Sequence, residues 1–145
     1  MNGSAEELAK EVEILLREND SVIIPTKGNS MRPFIRGGDN VLLVRTEDPL
    51  KVGMIVLART LDKRVVLHRI ICINGDYITL MGDGNLKGTE RCRRSDIIAV
   101  AQSVVGHKSG LYTRKNMLGW WLWYWLRPIR KWWAKLIKGE LKKGG

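Results

Sequence analysis

A chain of 145 residues is long enough for one domain with a real but modest core. Its formal charge of +10 is unevenly placed: residues 1–113 hold 16 Lys/Arg against 14 Asp/Glu, residues 114–145 hold 9 against 1. That division argues against a uniformly basic nucleic-acid binder, and two cysteines without metal spacing, Cys72 and Cys92, predict free thiols rather than a disulfide framework.

The N-terminus is acidic, with Glu6, Glu7, Glu11 and Glu13, opposite in sign to an export signal. No stretch approaches the ~20 apolar residues of a spanning helix, so a cytoplasmic location is expected. Ser4-Ala5-Glu6-Glu7 fits a capping box, and Leu8, Val12, Leu15 and Leu16 follow on one face. This predicts one amphipathic helix over residues 5–18, too little for a helix-turn-helix DNA-binding domain.

From residue 21 to about 105 the pattern turns to β. SVIIP, NVLLVR, MIVLAR, RVVLHRIICI, YITLM and DIIAVAQSVVG are short, rich in Val and Ile, and divided by Gly, Asp or Asn. Asn74-Gly75-Asp76 marks a tight hairpin turn. Six such strands predict a mainly β fold, a small coiled antiparallel sheet or partial barrel, with no internal repeat.

Between the first two strands lies TKGNSMRPFIRGGDN, Thr26–Asn40. With Gly28 before Ser30 and Pro33 and Gly37-Gly38 after it, this is a tight exposed connection. Its serine either caps backbone, the commoner fate, or stands as a nucleophile. A serine hydroxyl needs a base, and there are two histidines. His107 sits at the polar exit of the last strand and reads as an exposed residue. His68 lies among branched aliphatics in VVLHRII. It is either a core histidine bonded to a carbonyl or a base directed at Ser30, with a titration range suited to neutral pH.

GNSMRP resembles the Ser-Met box of the S24/S26 serine peptidases, which include signal peptidases and LexA-like self-cleaving repressors. LHRIICINGD is similar to the box that supplies their general base, and LMGDGN, Leu80 to Asn85, to their Gly-Asp-Asn box. The three boxes stand in the family's order over residues 28–85. The resemblance implies that superfamily's coiled β fold and acyl transfer on a peptide bond. Ser30 would be the nucleophile and His68 the general base, in the histidine-type manner rather than with the lysine of bacterial signal peptidases. Lysine would have to be brought down by roughly 3 pH units to act at neutrality, whereas histidine would not, which permits a wetter site. Neither metal nor cofactor is implied.

Asp83 is the resemblance's candidate to orient His68 or brace the site; as a residue of a Gly-Asp-Gly-Asn loop it can equally be a turn aspartate. Histidine-type relatives carry a further aspartate after this box. Here that stretch is LKGTE, with no aspartate; Glu90 lies close by but is a displaced, longer side chain, so a Ser–His dyad is expected, with Asp83 or Glu90 as an optional third member. The Ser30 backbone N–H is the natural oxyanion donor. Gly28 stands where some bacterial signal peptidases add a serine hydroxyl.

After a polar connector, HKSGLYTRKN, the tail holds all six tryptophans. Leu118, Trp121, Leu122, Trp125, Ile129, Trp132, Trp133, Leu136 and Ile137 recur at helical spacing beside Arg127, Arg130, Lys131, Lys135, Lys138 and Lys142. Pro128 is expected to kink or restart the helix. Residues 117–143 fit an amphipathic helix lying on an anionic membrane surface; folding back on its own domain, docking on a partner and binding nucleic acid are weaker rivals. The chain thus divides into a helix (1–20), a peptidase-like domain (21–106) and a connector with its tail (107–145). A peptide or protein is the expected substrate. A self-cleaving regulatory switch, or a non-catalytic module on the same fold, are the alternatives.

Overall fold

A computed structural model of the chain describes residues 2–28, 30–46, 49–84, 88–106, 111–112, 114–132, 134 and 136. His107, Asn85, Trp133, Lys135, Ile137, Lys138 and Lys142, singled out above, lie outside these. The order of elements is helix α1 (Asn2–Glu18), strands β1 (Ser21–Pro25), β2 (Asn40–Val44), β3 (Ile55–Arg59), β4 (Val65–Asn74), β5 (Tyr77–Met81), β6 (Glu90–Arg93) and β7 (Ile97–Val104), then helix α2 (Arg114–Trp125).

The seven strands form one antiparallel sheet in the order β1-β2-β7-β3-β4-β5-β6. The sheet is open rather than closed, with β1 and β6 at its edges. Bulges between Leu42 and Leu43, Leu57 and Ala58, and Ile70 and Cys72 interrupt the pairing. Such bulges add right-handed twist, which coils the sheet. The expected hairpin is present as a two-residue turn, with Asn74 paired to Tyr77.

Six strands were legible as apolar runs; β6, Glu-Arg-Cys-Arg, was not, because a short edge strand buries only Cys92 fully. β3 sits at the centre and buries successive residues on both faces. Ile55 and Leu57 enter a core with Val12, Leu16, Ile24, Met31 and Leu43, whereas Val56 and Ala58 enter a second with Ile70, Ile78, Leu80 and Cys92.

α1 starts at Asn2, so Ser4 lies in its first turn rather than at a cap. Ala9, Val12 and Leu16 are buried, whereas Leu15, expected on the inner face, is turned outward. Asn19 ends the helix, its backbone and side-chain N–H groups both donating to the Leu15 carbonyl at 2.9 and 3.0 Å. Arg59 of β3 clasps α1 through Glu6 and Glu13.

The connector is not simply polar. Leu111 is buried in the first core, and the Tyr112 hydroxyl accepts the Ile55 N–H at 2.9 Å and bonds the Ala101 carbonyl. Burial pushes this phenol up to about 12. Residues 114–116 are already helical. The helix is interrupted at residue 126 and resumes over 127–132, with Pro128 in the first turn of the new run, where its missing N–H costs least.

Candidate active site

The loop carrying Ser30 is closed at its base. The Thr26 N–H donates to the Asp39 carbonyl and the Gly38 N–H to the Thr26 carbonyl, each at 2.9 Å. Gly28 takes φ +81°, a conformation side chains resist, and a Cβ on Gly37 would stand 2.8 Å from the Gly28 carbonyl oxygen. The two glycines therefore let the loop fold against itself. Beyond Ser30 the chain makes one helical turn, with the Phe34 and Ile35 N–H groups both donating to the Met31 carbonyl at 3.0 Å. Buried Met31 and Ile35 pin that turn to the first core.

His68 lies opposite Val56 on β4. Its Nε2 is 3.2 Å from Ser30 Oγ and its Nδ1 is 2.8 Å from Glu90 Oε2. A carboxylate oxygen only accepts, so in the neutral ring the proton sits on Nδ1 and the Nε2 lone pair faces the serine. The arrangement is a Ser–His–carboxylate line. Against the expectation of a wetter site, the side chains of His68 and Glu90 are only 8% and 9% exposed. His68 is enclosed in part because it lies on β4, an inner strand of the sheet. Arg64 Nη2, 3.8 Å from Glu90 Oε1, lends positive charge from the rim.

Glu90, and not Asp83, is the carboxylate hydrogen-bonded to His68. Glu90 pairs with Leu80 across β5 and β6 and shares the inward face with Cys92, two residues on. That strand register brings it within reach. The Asp83 carboxylate is engaged elsewhere: Arg69 Nε donates to Oδ1 at 2.8 Å and Nη2 to Oδ2 at 2.7 Å, a bidentate fork. Both side chains are 1% exposed. Burial pushes the Asp83 carboxyl above the usual carboxylate range, with the Arg69 hydrogen bonds and charge pulling the other way.

Asp83 is thus the brace of the site. In the same loop, the Gly84 N–H donates to the Ser30 carbonyl at 2.7 Å, which ties the Gly82–Gly84 loop to the serine turn. Arg69 was not singled out from the sequence. Its signal was a cation beside His68 inside an aliphatic strand, which cannot stay buried without a carboxylate partner.

A cleft of about 470 Å³ opens beside Ser30 and His68. Leu8 of α1, Ile24 of β1, Met31, Ile35 and Leu57 supply apolar wall, and Glu90, Arg64 and Lys27 supply charge. Among the described residues no group of His, Cys, Asp and Glu is arranged to hold a metal.

The Peptidase S24-like family model matches residues 3–104, a span that includes Ser30, His68, Asp83 and Glu90 and stops where β7 ends, short of the tail. No curated protein matches the chain in sequence. With the matched span taking in α1 and all seven strands, the chain belongs to the Peptidase S24-like family.

Proposed function

We propose that this protein is a serine endopeptidase in which Ser30 is the nucleophile, His68 the general base and Glu90 the residue that orients it. The observation that carries this reading is the continuous contact from Ser30 Oγ to His68 Nε2 and from Nδ1 to Glu90. Ser30 Oγ attacks the scissile carbonyl carbon while His68 takes its proton. The imidazolium, held by Glu90, then gives that proton to the leaving amine. The acyl-enzyme is released by water activated through the same nitrogen. The Ser30 backbone N–H is the candidate donor to the oxyanion. The edge position of β1 along the cleft suits an extended peptide, and the apolar wall suits an apolar side chain near the cut.

In this proposal the protein works on the cytoplasmic face of an anionic membrane. Leu118, Leu122, Trp125, Ile129, Trp132 and Leu136 recur at steps of four and three and are 42–64% exposed, a stripe matching an in-plane interfacial helix. Among the described residues no helix is long and apolar enough to cross a membrane. Peptides released there, or precursors bound there, are the expected substrates.

The test is cleavage of a library of quenched-fluorescence peptides by the purified chain. Ser30→Ala and His68→Ala should each reduce turnover by at least about 10³-fold, with melting temperature held within a few degrees. Undiminished turnover in Ser30→Ala would overturn the assignment. Intact mass spectrometry on the stored protein separates cleavage of other chains from self-cleavage, which would leave two fragments.

A further inference from the structure

The family match ends at residue 104, yet the tail beyond it reaches the site. Trp120 is 6% exposed, against 64% for Trp125 on the same helix. Its ring centre stands 5.0 Å from the Arg69 guanidinium, and the Phe34 ring centre lies 5.1 Å from the same group. A buried cation is therefore in contact with both the turn that carries Ser30 and the tail. Trp123 Nε1 donates to the Asp83 carbonyl at 2.7 Å, and the Arg130 guanidinium stacks 3.9 Å from the Trp123 ring centre. Close packing extends to Gly53, whose carbonyl accepts from Arg69 Nη1 at 2.7 Å. A Cβ at Gly53 would lie 2.6 Å from the Met117 methyl. Only a small gap of about 10 Å³ is left among Trp120, Trp123, Gly82 and Asp83.

We propose that Trp120 and Trp123 are positioning residues for Ser30, and that the tail is part of the catalytic apparatus as well as a surface anchor. The inference rests on the peptidase reading above. The route is short. Trp123 holds the Asp83 carbonyl, Trp120 seals the Arg69–Asp83 pair from water, and Gly84 of the same loop holds the Ser30 carbonyl. Loosening the loop frees the serine turn, and displacement of a nucleophile by about 1 Å can cost as much as 10²-fold in rate. Among the described residues, by contrast, none from the tail lines the cleft. Substrate binding is therefore insulated from these tryptophans, whereas the serine is not.

Trp123→Phe removes the indole N–H and keeps most of the bulk; Trp120→Leu uncovers the ion pair. On the best-cleaved peptide of the library, each should lower kcat about 10-fold with KM within about 2-fold. A merely destabilised protein would show fewer active molecules, so kcat is referred to the folded fraction from thermal unfolding. Hydrogen exchange gives a readout free of chemistry: the Gly84 amide should exchange about 10-fold faster in Trp123→Phe. Unchanged Gly84 exchange, or faster exchange with kcat at the wild-type level, overturns the proposal. If Trp120→Leu does not fold, Trp123→Phe alone decides. A wild-type protein that cleaves nothing in the library sinks the peptidase reading instead, a result distinct from a cleaving wild type indifferent to Trp123→Phe.

Discussion

Two carboxylates serve the proposed site through different partners, Glu90 bonding His68 and Asp83 bonding Arg69. Glu90 receives the imidazole Nδ1–H, so its charge matters when the ring becomes an imidazolium. Asp83 is consumed by Arg69, so its charge matters for holding a buried cation. Glu90→Gln keeps the shape but can turn an amide N–H toward the ring, favouring the wrong tautomer. It should lower kcat by about 10²-fold or more with little change in unfolding midpoint. Asp83→Ala strands Arg69 in the interior and should cost about 3–5 kcal/mol of stability. Denaturant melts alongside steady-state kinetics separate the two, and equal losses in both measurements for both variants would contradict this division. Ser30 and His68 were legible because their short boxes carry distinctive neighbours. The choice between Asp83 and Glu90 was not, since it depends on how strand β6 is registered against β5, which no local pattern states.

At the scale of elements, what was readable followed apolar content. SVIIP and YITLM announce strands because every second residue must leave water. Glu90–Arg93 does not, having one fully buried residue between two arginines. Yet this edge strand holds the orienting carboxylate, and its seating can be monitored through Cys92. That thiol is fully buried, and desolvation pushes it up to about 11, whereas Cys72 is exposed. The reactive species is the thiolate. Iodoacetamide at about pH 8 should therefore add one group to the native protein, on Cys72, and two in denaturant. Native labelling of Cys92, read by peptide mass spectrometry, would mean that β6 opens readily and that Glu90 is not held. The tail tells a related story. Its helical spacing was plain in sequence, but a helix apolar on more than one side does not declare which side meets protein. Trp120 and Trp121 are adjacent and chemically identical, yet one is buried and the other is 49% exposed; only the sheet's shape distinguishes them.

For the molecule as a whole, the helix that begins at Arg114 has two apolar faces with different fates. The inner one, through Trp120 and Trp123, spends itself on the site. The outer one, through Leu118, Leu122, Trp125, Ile129, Trp132 and Leu136, is left 42–64% exposed, with none of the described residues covering it. A monomer rarely leaves so continuous an apolar row open. The charge of the same segment selects among possible coverings: 9 Lys/Arg against 1 Asp/Glu in residues 114–145 disfavours a second copy of itself and favours an anionic surface. Each cation near such a surface contributes ~1 kcal/mol, and this attraction fades with salt, whereas the insertion of tryptophan and leucine does not. The protein should therefore float strongly with vesicles containing phosphatidylserine and more weakly with phosphatidylcholine alone. Raising salt to about 1 M, where screening acts within about 3 Å, should weaken flotation without abolishing it. Replacing Leu122, Trp125 and Ile129 together by serine should abolish flotation in either salt while the unfolding midpoint stays put, because none of the three is buried against the domain. Flotation that survives this triple change would remove the outer stripe as the lipid-binding surface, and a concentration-dependent dimer lost in the same variant would identify a second chain as its cover.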